Sequence, residues 1–166
     1  MITSREQAVY DALAALGIAY TRYEHPPVFT VEEAEAHWRD IDAVHCKNLF
    51  VRNKKGTAHY LVVVERSKTV DMKRLTAHLG EDRLSFASPE RLAAHLGLTA
   101  GAVSPFGILN DGDRAVTLVV DEDLRSAPRV GFHPNVNTAT IALSFADFDR
   151  FLASCGNRVQ YLPFEA

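Results

Sequence analysis

Residues 44–65 read VHCKNLFVRNKKGTAHYLVVVE and contain two β-rich runs separated by a polar turn. The first run spans residues 44–52 and the second residues 59–65, and both are rich in the β-branched and aromatic residues that favour strands. The turn contains Asn53-Lys54-Lys55-Gly56, and its glycine adopts a positive φ at little cost. The stretch therefore predicts a β-hairpin.

One charged residue interrupts an apolar face of this hairpin. Along the first strand, odd-numbered residues lie on one face and even-numbered residues on the other, so Lys47 shares a face with Leu49 and Val51. Because lysine is rarely buried without a partner, this position indicates a cleft that holds an anionic ligand. The alternative is a lysine whose stem follows apolar surface to solvent at the sheet edge.

Helix signals flank the hairpin on both sides. Ser4 and Gln7 fit a capping box that opens a first helix, which Gly17 ends, and Thr30 with Glu33 fits a second box. Together with apolar spacing, N-caps and terminal glycines predict four further helices. These span residues 30–36, 71–79, 89–96 and 144–155.

The remaining segments alternate between strand and loop. Strands are predicted at residues 18–24, 115–120, 130–132, 138–143 and 159–162, and residues 98–112 are predicted to form a long loop. Because helices and strands are intermixed without a regular βαβ order, we expect one α+β domain over residues 1–166, built around a mixed sheet.

Composition limits the function classes. The chain has 166 residues, 47% of them hydrophobic, and a net charge of −3, which excludes a strongly basic nucleic-acid binder but allows a local contact with RNA. Its two cysteines, Cys46 and Cys155, favour a reducing compartment. The first residues do not read as a signal peptide, and no apolar run has membrane-spanning length. We therefore expect a cytoplasmic protein that does not contact membranes.

Common catalytic motifs do not occur in the chain. The seven histidines show no metal-ligand spacing, so we expect no metal and no other cofactor. No G-x-S-x-G elbow, phosphate-binding loop or reactive cysteine setting is present. Cys46 is interpreted as a small buried hydrophobe.

Two loops carry polar or glycine-rich sequence that suits ligand contact. Gly101-Ala102-Val103-Ser104-Pro105 can direct backbone N–H groups at a carbonyl oxygen, although a plain surface turn would have the same composition. His133 and Asn135 follow a predicted strand, which is a typical position for a binding loop. The alternative for Asn135 is a turn-forming role.

Four segments, in order along the chain, together carry a family resemblance. They are EHPPVFTVEEA at 24–34, CKNLF at 46–50, GAVSPFGILN at 101–110 and FHPN through Thr138 at 132–138. With these segments the chain resembles the editing domains related to the insertion domain of bacterial prolyl-tRNA synthetase. Within that family it is most similar to the free-standing alanyl-tRNA(Pro) deacylases.

The resemblance implies both a fold and a reaction. The fold would be a mixed, mostly antiparallel, barrel-like sheet flanked by helices. The reaction would be trans-editing, the hydrolysis of the ester that joins a wrong amino acid, alanine, to the 3′-terminal adenosine of tRNA(Pro). Removal of the wrong amino acid is useful because a synthetase pocket built for a larger group binds a smaller one with a free energy only ~1–3 kcal/mol less favourable.

The resemblance also implies roles for individual residues. Lys47 would meet the phosphate or ribose of the terminal adenosine, Gly101 and its loop would face the ester carbonyl, and His133 would orient the aminoacyl group or the attacking water. These three are the predicted catalytic residues. The predicted substrate contacts are Asn48, Ala102, Val103, Ser104, Pro105, Phe29, Thr30, Val31 and Asn135.

The implied partner is the acceptor end of an aminoacyl-tRNA, with prolyl-tRNA synthetase as a candidate protein partner. Two basic clusters could meet RNA phosphates or simply be solvated: Arg52, Lys54 and Lys55, and Arg66, Lys68, Lys73 and Arg74. Three other functions stay open at this point. They are a deacylase for Cys-tRNA(Pro) or another small amino acid, a non-catalytic module that binds aminoacyl-tRNA or the synthetase, and a metal-dependent hydrolase.

Selection of alanine is expected to be steric, with Phe29, Thr30 and Val31 walling a pocket for one methyl group. The substitution Val31→Ala should then admit larger aminoacyl groups. Deacylation rates of tRNAs charged with amino acids of increasing size test this prediction. An unchanged amino-acid profile would remove these residues from the pocket.

Overall fold

The computed structural model describes residues 1–27 and 31–165, with Val31 described by its backbone alone. Within these residues the helices are α1 Ser4–Ala15, α2 Val31–Trp38, α3 Met72–Leu79, α4 Pro89–Leu96 and α5 Phe145–Cys155. The strands are β1 Thr21–Glu24, β2 Val44–Asn53, β3 His59–Glu65, β4 Leu84–Phe86, β5 Val116–Asp121, β6 Arg129–Phe132, β7 Ala139–Ser144 and β8 Val159–Leu162. None of the described helices is both long enough and apolar enough to cross a membrane.

The strands form one mixed sheet. Its order is β1-β7-β6-β2-β3-β5-β8, and β4 pairs with β2 outside that path. The β1–β7, β2–β3, β2–β4 and β6–β7 pairs are antiparallel, whereas β2–β6, β3–β5 and β5–β8 are parallel. The predicted α+β class with a mixed, mostly antiparallel sheet is therefore confirmed, and the described pairings follow an open path from β1 to β8.

The predicted hairpin is the centre of this sheet. Strands β2 and β3 pair from Cys46–Glu65 to Arg52–His59. Residues 59–64 are all buried, because the two faces of β3 pack against different apolar clusters. Leu61 and Val63 belong to the larger core, while Val62 and Val64 belong to a smaller one under α3. A strand covered on both faces becomes a nearly continuous apolar run.

The helix ends follow the predicted caps, with one shift in register. The N-cap of α1 is Thr3 instead of Ser4, and its hydroxyl accepts the N–H of Glu6 at 3.2 Å. Both residues can cap a helix, and the structure selects the earlier one. Ser88 caps α4 as predicted, and α2 continues to Trp38, two residues beyond its predicted end at residue 36. The predicted cap Thr30 lies outside the described residues.

The segment 98–112 is not the plain loop predicted from its glycines and proline. It contains two 3₁₀ helices, Ala100–Ala102 and Pro105–Asn110. Phe106 in the second helix is fully buried, and its ring packs edge-on against Phe132 and Phe151 at centroid distances of 5.9 and 5.0 Å. The segment is thus attached to the main core. The sequence pattern also does not predict strand β4, which is only three residues long.

Replacing Phe106 by alanine should lower the free energy of unfolding by about 3–5 kcal/mol, because the surrounding aromatic side chains cannot fill the cavity. Urea denaturation measures this change. The matched control is Phe86→Ala, since the Phe86 side chain is 64% exposed. We expect the control to change stability by less than about 0.5 kcal/mol. A loss below about 1 kcal/mol at Phe106 would contradict this anchoring role.

Candidate active site

One edge of β2 has a short open interval. Strand β6 pairs with β2 only at Val44 and His45, and β4 pairs with it only from Val51 onward. Between them, Phe50 accepts a hydrogen bond from the N–H of Ala87 at 2.9 Å. Strand alternation directs the N–H and C=O groups of Asn48 to the same edge as those of Phe50. Within the described residues no strand pairs with β2 there.

The glycine-containing loop lies against this interval. The Asn48 side chain donates from Nδ2 to the carbonyl oxygen of Val103 at 3.4 Å, which joins β2 to the loop. Ser104 is fully buried, and its hydroxyl accepts the N–H of Phe106. In the described part of the chain, the backbone N–H of Gly101 donates to no other backbone group. This donor of the loop is therefore available to meet a substrate oxygen.

His133 follows the last residue of β6 and lies level with β2. His45 pairs with Gly131 in a parallel register, and we infer from continuing that register by two residues that His133 lies at the height of Lys47 on the same face. Its Nδ1 donates to the carbonyl of Ala139 at 2.9 Å, which leaves Nε2 as the nitrogen that can accept a proton. Burial lowers the pKa of His133, and the nearby His25 lowers it further. A neutral imidazole with a fixed tautomer results.

His25 supports this histidine and was not singled out from the sequence. Its ring centroid lies 5.9 Å from that of His133 and 5.2 Å from that of His37. Its Nδ1 donates to the carbonyl of Pro26, and its Nε2 bonds the hydroxyl of Thr140, each at 2.9 Å. Among the described residues, no group of three or more potential ligands is placed to hold a metal ion.

Lys47 is half-buried and directed away from the Asn48 side chain. Its ammonium donates to the backbone carbonyl of Lys68, in the turn after β3. Lys68 itself is buried, with Nζ at 2.9 Å from Asp121 Oδ1 and 2.6 Å from Asp123 Oδ2. The suggestion that Lys68 could meet RNA phosphates is therefore wrong, because two carboxylates hold its charge. The same ion pairs fix the turn that positions Lys47.

The predicted site residues thus divide into groups. Asn48 and Val103 are in contact, and the register brings His133 level with Lys47, but within the described residues no hydrogen bond joins Lys47 to His133 or to the 101–105 loop. Ala102 and Pro105 are buried and support the loop, as Ser104 does. Asn135 is also buried, at a left-handed φ of 63°, and its Oδ1 has no partner among the described residues.

The predicted wall of the alanine pocket lies mostly outside the described residues. Phe29 and Thr30 lie outside the described residues, and only the backbone of Val31 is described, at the start of α2.

Cys46 is a buried member of the main core, and burial raises the pKa of its thiol. This agrees with its interpretation as a small hydrophobe.

The model of the family described as "Aminoacyl-tRNA editing domain" matches residues 25–151. The chain belongs to this family. The match covers the open edge of β2, the 101–105 loop and His133. As an aminoacyl-tRNA editing domain, the protein is a deacylase, an enzyme that removes an amino acid from tRNA and so serves translation fidelity.

Individual relatives of this editing domain match it over nearly their whole length. It is 46% identical over 154 residues to the prolyl-tRNA editing protein ProX of Acetoanaerobium sticklandii, covering 92% of this chain and 93% of that protein. It is 34% identical to the prolyl-tRNA synthetase associated domain-containing protein 1 of Bos taurus, and the match covers 95% of this chain and 94% of that protein. A solved structure described as a candidate trans-editing enzyme for prolyl-tRNA synthetase shares the fold, with a TM-score of 0.75 at 22% identity. The superposition covers 100% of this chain and 99% of that one.

Deacylation should require the neutral form of His133. Burial lowers its pKa from the ordinary value of 6.5, so Nε2 keeps its lone pair at pH 7 and loses it only in acid. We expect kcat/KM to be constant above pH 6.5 and to fall below it, with a midpoint under 6.5. The pH profile of kcat/KM, corrected for spontaneous ester hydrolysis, measures this.

The substitution His133→Gln should remove this acid limb, because glutamine does not titrate. His78→Gln is the matched control, since His78 is exposed on α3. An acid limb that persists in the His133 variant, or a midpoint above 6.5, would show that another group is responsible.

Proposed function

We propose that this deacylase is a trans-editing enzyme for Ala-tRNA(Pro). Support for tRNA(Pro) comes from the relatives, one of which is named a prolyl-tRNA editing protein and matches over 93% of its length. The choice of alanine follows from size, because a synthetase that accepts proline discriminates poorly against smaller amino acids. A second, smaller pocket clears such errors.

The observation that carries the proposal is the open edge of β2, with the 101–105 loop held against it and His133 at the end of the neighbouring strand β6. The bond from Asn48 to Val103 holds the loop against β2 at 3.4 Å. The N–H of Gly101 then provides a donor for the ester carbonyl oxygen. Donors that are already in place stabilise the oxyanion of a tetrahedral intermediate without reorganisation.

The proposed reaction is ester hydrolysis by water without an enzyme nucleophile. Water adds to the ester carbonyl carbon, and His133 Nε2 orients that water and accepts its proton. The bond between the carbonyl carbon and the ribose oxygen then breaks, and the proton passes to that oxygen. The products are free alanine and a tRNA with an intact terminal ribose. The neighbouring ribose hydroxyl of the substrate assists by hydrogen-bonding the water.

Lys47 is assigned to the RNA part of the substrate. Among the described residues its ammonium bonds a single neutral acceptor, the carbonyl of Lys68, so a phosphate or ribose oxygen could share or replace this acceptor. Lysine serves such groups as a point charge. Association with prolyl-tRNA synthetase is the corresponding proposal for a protein partner, supported by the name of the relative from Bos taurus.

Deacylation of Ala-tRNA(Pro), Pro-tRNA(Pro) and Ala-tRNA(Ala) tests the proposal directly. Wild-type protein should release alanine from the first substrate and leave proline on the second. The substitution Lys47→Ala should lower kcat/KM by about 10- to 100-fold, since a hydrogen bond to a charged group contributes ~1.5–3 kcal/mol. Arg5→Ala, at an exposed position on α1 outside both basic clusters, is the control and should keep wild-type activity.

Other outcomes would replace the proposal by a specific alternative. Hydrolysis of Cys-tRNA(Pro) in preference to Ala-tRNA(Pro) would assign a different small amino acid to the same site. Binding of charged tRNA without turnover would indicate a non-catalytic module. Loss of activity on exhaustive chelation would indicate a metal-dependent hydrolase.

A further inference from the structure

A cavity lies beside the first residues of β2. Its volume is about 220 Å³, and its lining includes Glu35, Trp38, Arg39, Ile41, His45 and Arg66. The lining combines an aromatic ring, two guanidinium groups and a histidine. None of these residues takes part in the reaction proposed above.

His45 is the unexplained group in this cavity. The residue is only 7% exposed, and neither ring nitrogen has a hydrogen-bond partner in the described part of the chain. Burial lowers the pKa of His45 to about 4, although the nearby carbonyl groups of Ile41 and Trp38 act in the opposite direction. Neither carbonyl accepts a hydrogen bond from the His45 ring. Buried polar groups are nearly always paired in native proteins. A histidine that lines a cavity without a partner therefore points to a bound ligand.

The surroundings of His45 favour an anionic, aromatic ligand. Its ring stacks on Trp38 with a centroid distance of 4.6 Å and an interplanar angle of 10°. The guanidinium of Arg66 lies 5.4 Å from the centroid of the Trp38 ring. Arg66 also pairs with Glu35, and Arg39 adds a second positive charge, so the lining residues carry a net positive charge. Aromatic and arginine side chains are the usual contacts of unpaired RNA nucleotides.

The cavity lies next to the active site along β2. His45 and Lys47 lie on the same face of β2, two residues or ~6.6 Å apart along the strand. The N–H of Arg66 donates to the carbonyl of His45 at 3.0 Å, and Lys47 bonds the carbonyl of Lys68 in the same turn. A single-stranded RNA end whose terminal nucleotide meets Lys47 can therefore reach His45 with the preceding nucleotide.

We propose that this cavity binds the nucleotide that precedes the terminal adenosine of the substrate RNA. The guanidinium groups of Arg39 and Arg66 contact its phosphate, and the ring nitrogens of His45 bond its ribose or the edge of its base. The inference rests on the proposed function in that the terminal nucleotide is placed at Lys47. It assigns the recognition of single-stranded RNA to residues outside the reacting centre.

Fluorescence gives a direct test, because Trp38 is the only tryptophan of the chain. The probe is the ribotrinucleotide CpCpA, titrated into the full-length protein, with adenosine as the comparison ligand. We expect a saturable change of Trp38 fluorescence with CpCpA and none with adenosine. The substitutions His45→Phe and Arg66→Gln should each weaken CpCpA binding by about five- to tenfold.

Two controls keep the test specific. His45→Phe preserves a ring that can stack on Trp38 and removes two unpaired nitrogens, so its thermal stability should not fall. Arg150→Gln makes the same charge change as Arg66→Gln at an exposed arginine that also pairs with a carboxylate, Asp147, and should bind CpCpA like the wild type. The inference is overturned if both the His45 and the Arg66 variant bind CpCpA with wild-type affinity. It is also overturned if CpCpA does not change the fluorescence of Trp38.

The same titration separates failure of the inference from failure of the proposed function. If the protein hydrolyses no alanyl ester but binds CpCpA in a His45-dependent way, the cavity is an RNA site and the proposed function is wrong. If it hydrolyses Ala-tRNA(Pro) but Trp38 does not respond to CpCpA, the proposed function holds and the cavity is not part of its RNA site.

Discussion

The interrupted pairing of β2 is the constraint on which the candidate site depends. One edge of the strand is fully paired with β3, while the other meets β6 at two residues and β4 at three. The residues between these pairings present their backbone groups to a loop instead of a strand. Asn48 joins that loop to β2, and the loop can place its own N–H groups beside the same edge. An edge that is open only over a few residues gives ligand access without exposing a long template for aggregation.

The surrounding packing makes this short interval rigid. Strand β3 is buried on both faces, so the paired edge of β2 cannot shift in register without moving two apolar clusters. Phe106 attaches the loop to the main core, and the ion pairs of Lys68 with Asp121 and Asp123 hold the turn beneath Lys47. Rigid supports of this kind preserve the geometry that oxyanion stabilisation requires.

Local signals in the sequence predicted most of the fold but only part of the site. The β-rich runs and a glycine turn predict the hairpin, and Ser88 and Gly97 predict the two ends of α4. Each of these signals lies next to the structure that it predicts. The 3₁₀ helix that carries Phe106 is too short for a periodic signal. The two carboxylates that pair with Lys68 lie 53 and 55 residues away along the chain. The contact of His25 with His133 and the unpartnered state of His45 exist only in the folded chain. No local pattern encodes such contacts.

The central claim is that the substrate ester binds between the open edge of β2 and the 101–105 loop. A ¹H–¹⁵N NMR titration with adenosine that carries alanine on a 3′ amide, which the enzyme cannot hydrolyse as an ester, tests this claim most directly. If the ester binds there, the largest backbone amide shifts occur at Asn48, Gly101, Val103 and His133. Shifts concentrated instead at the cavity between α3 and residues 162–165 would contradict it.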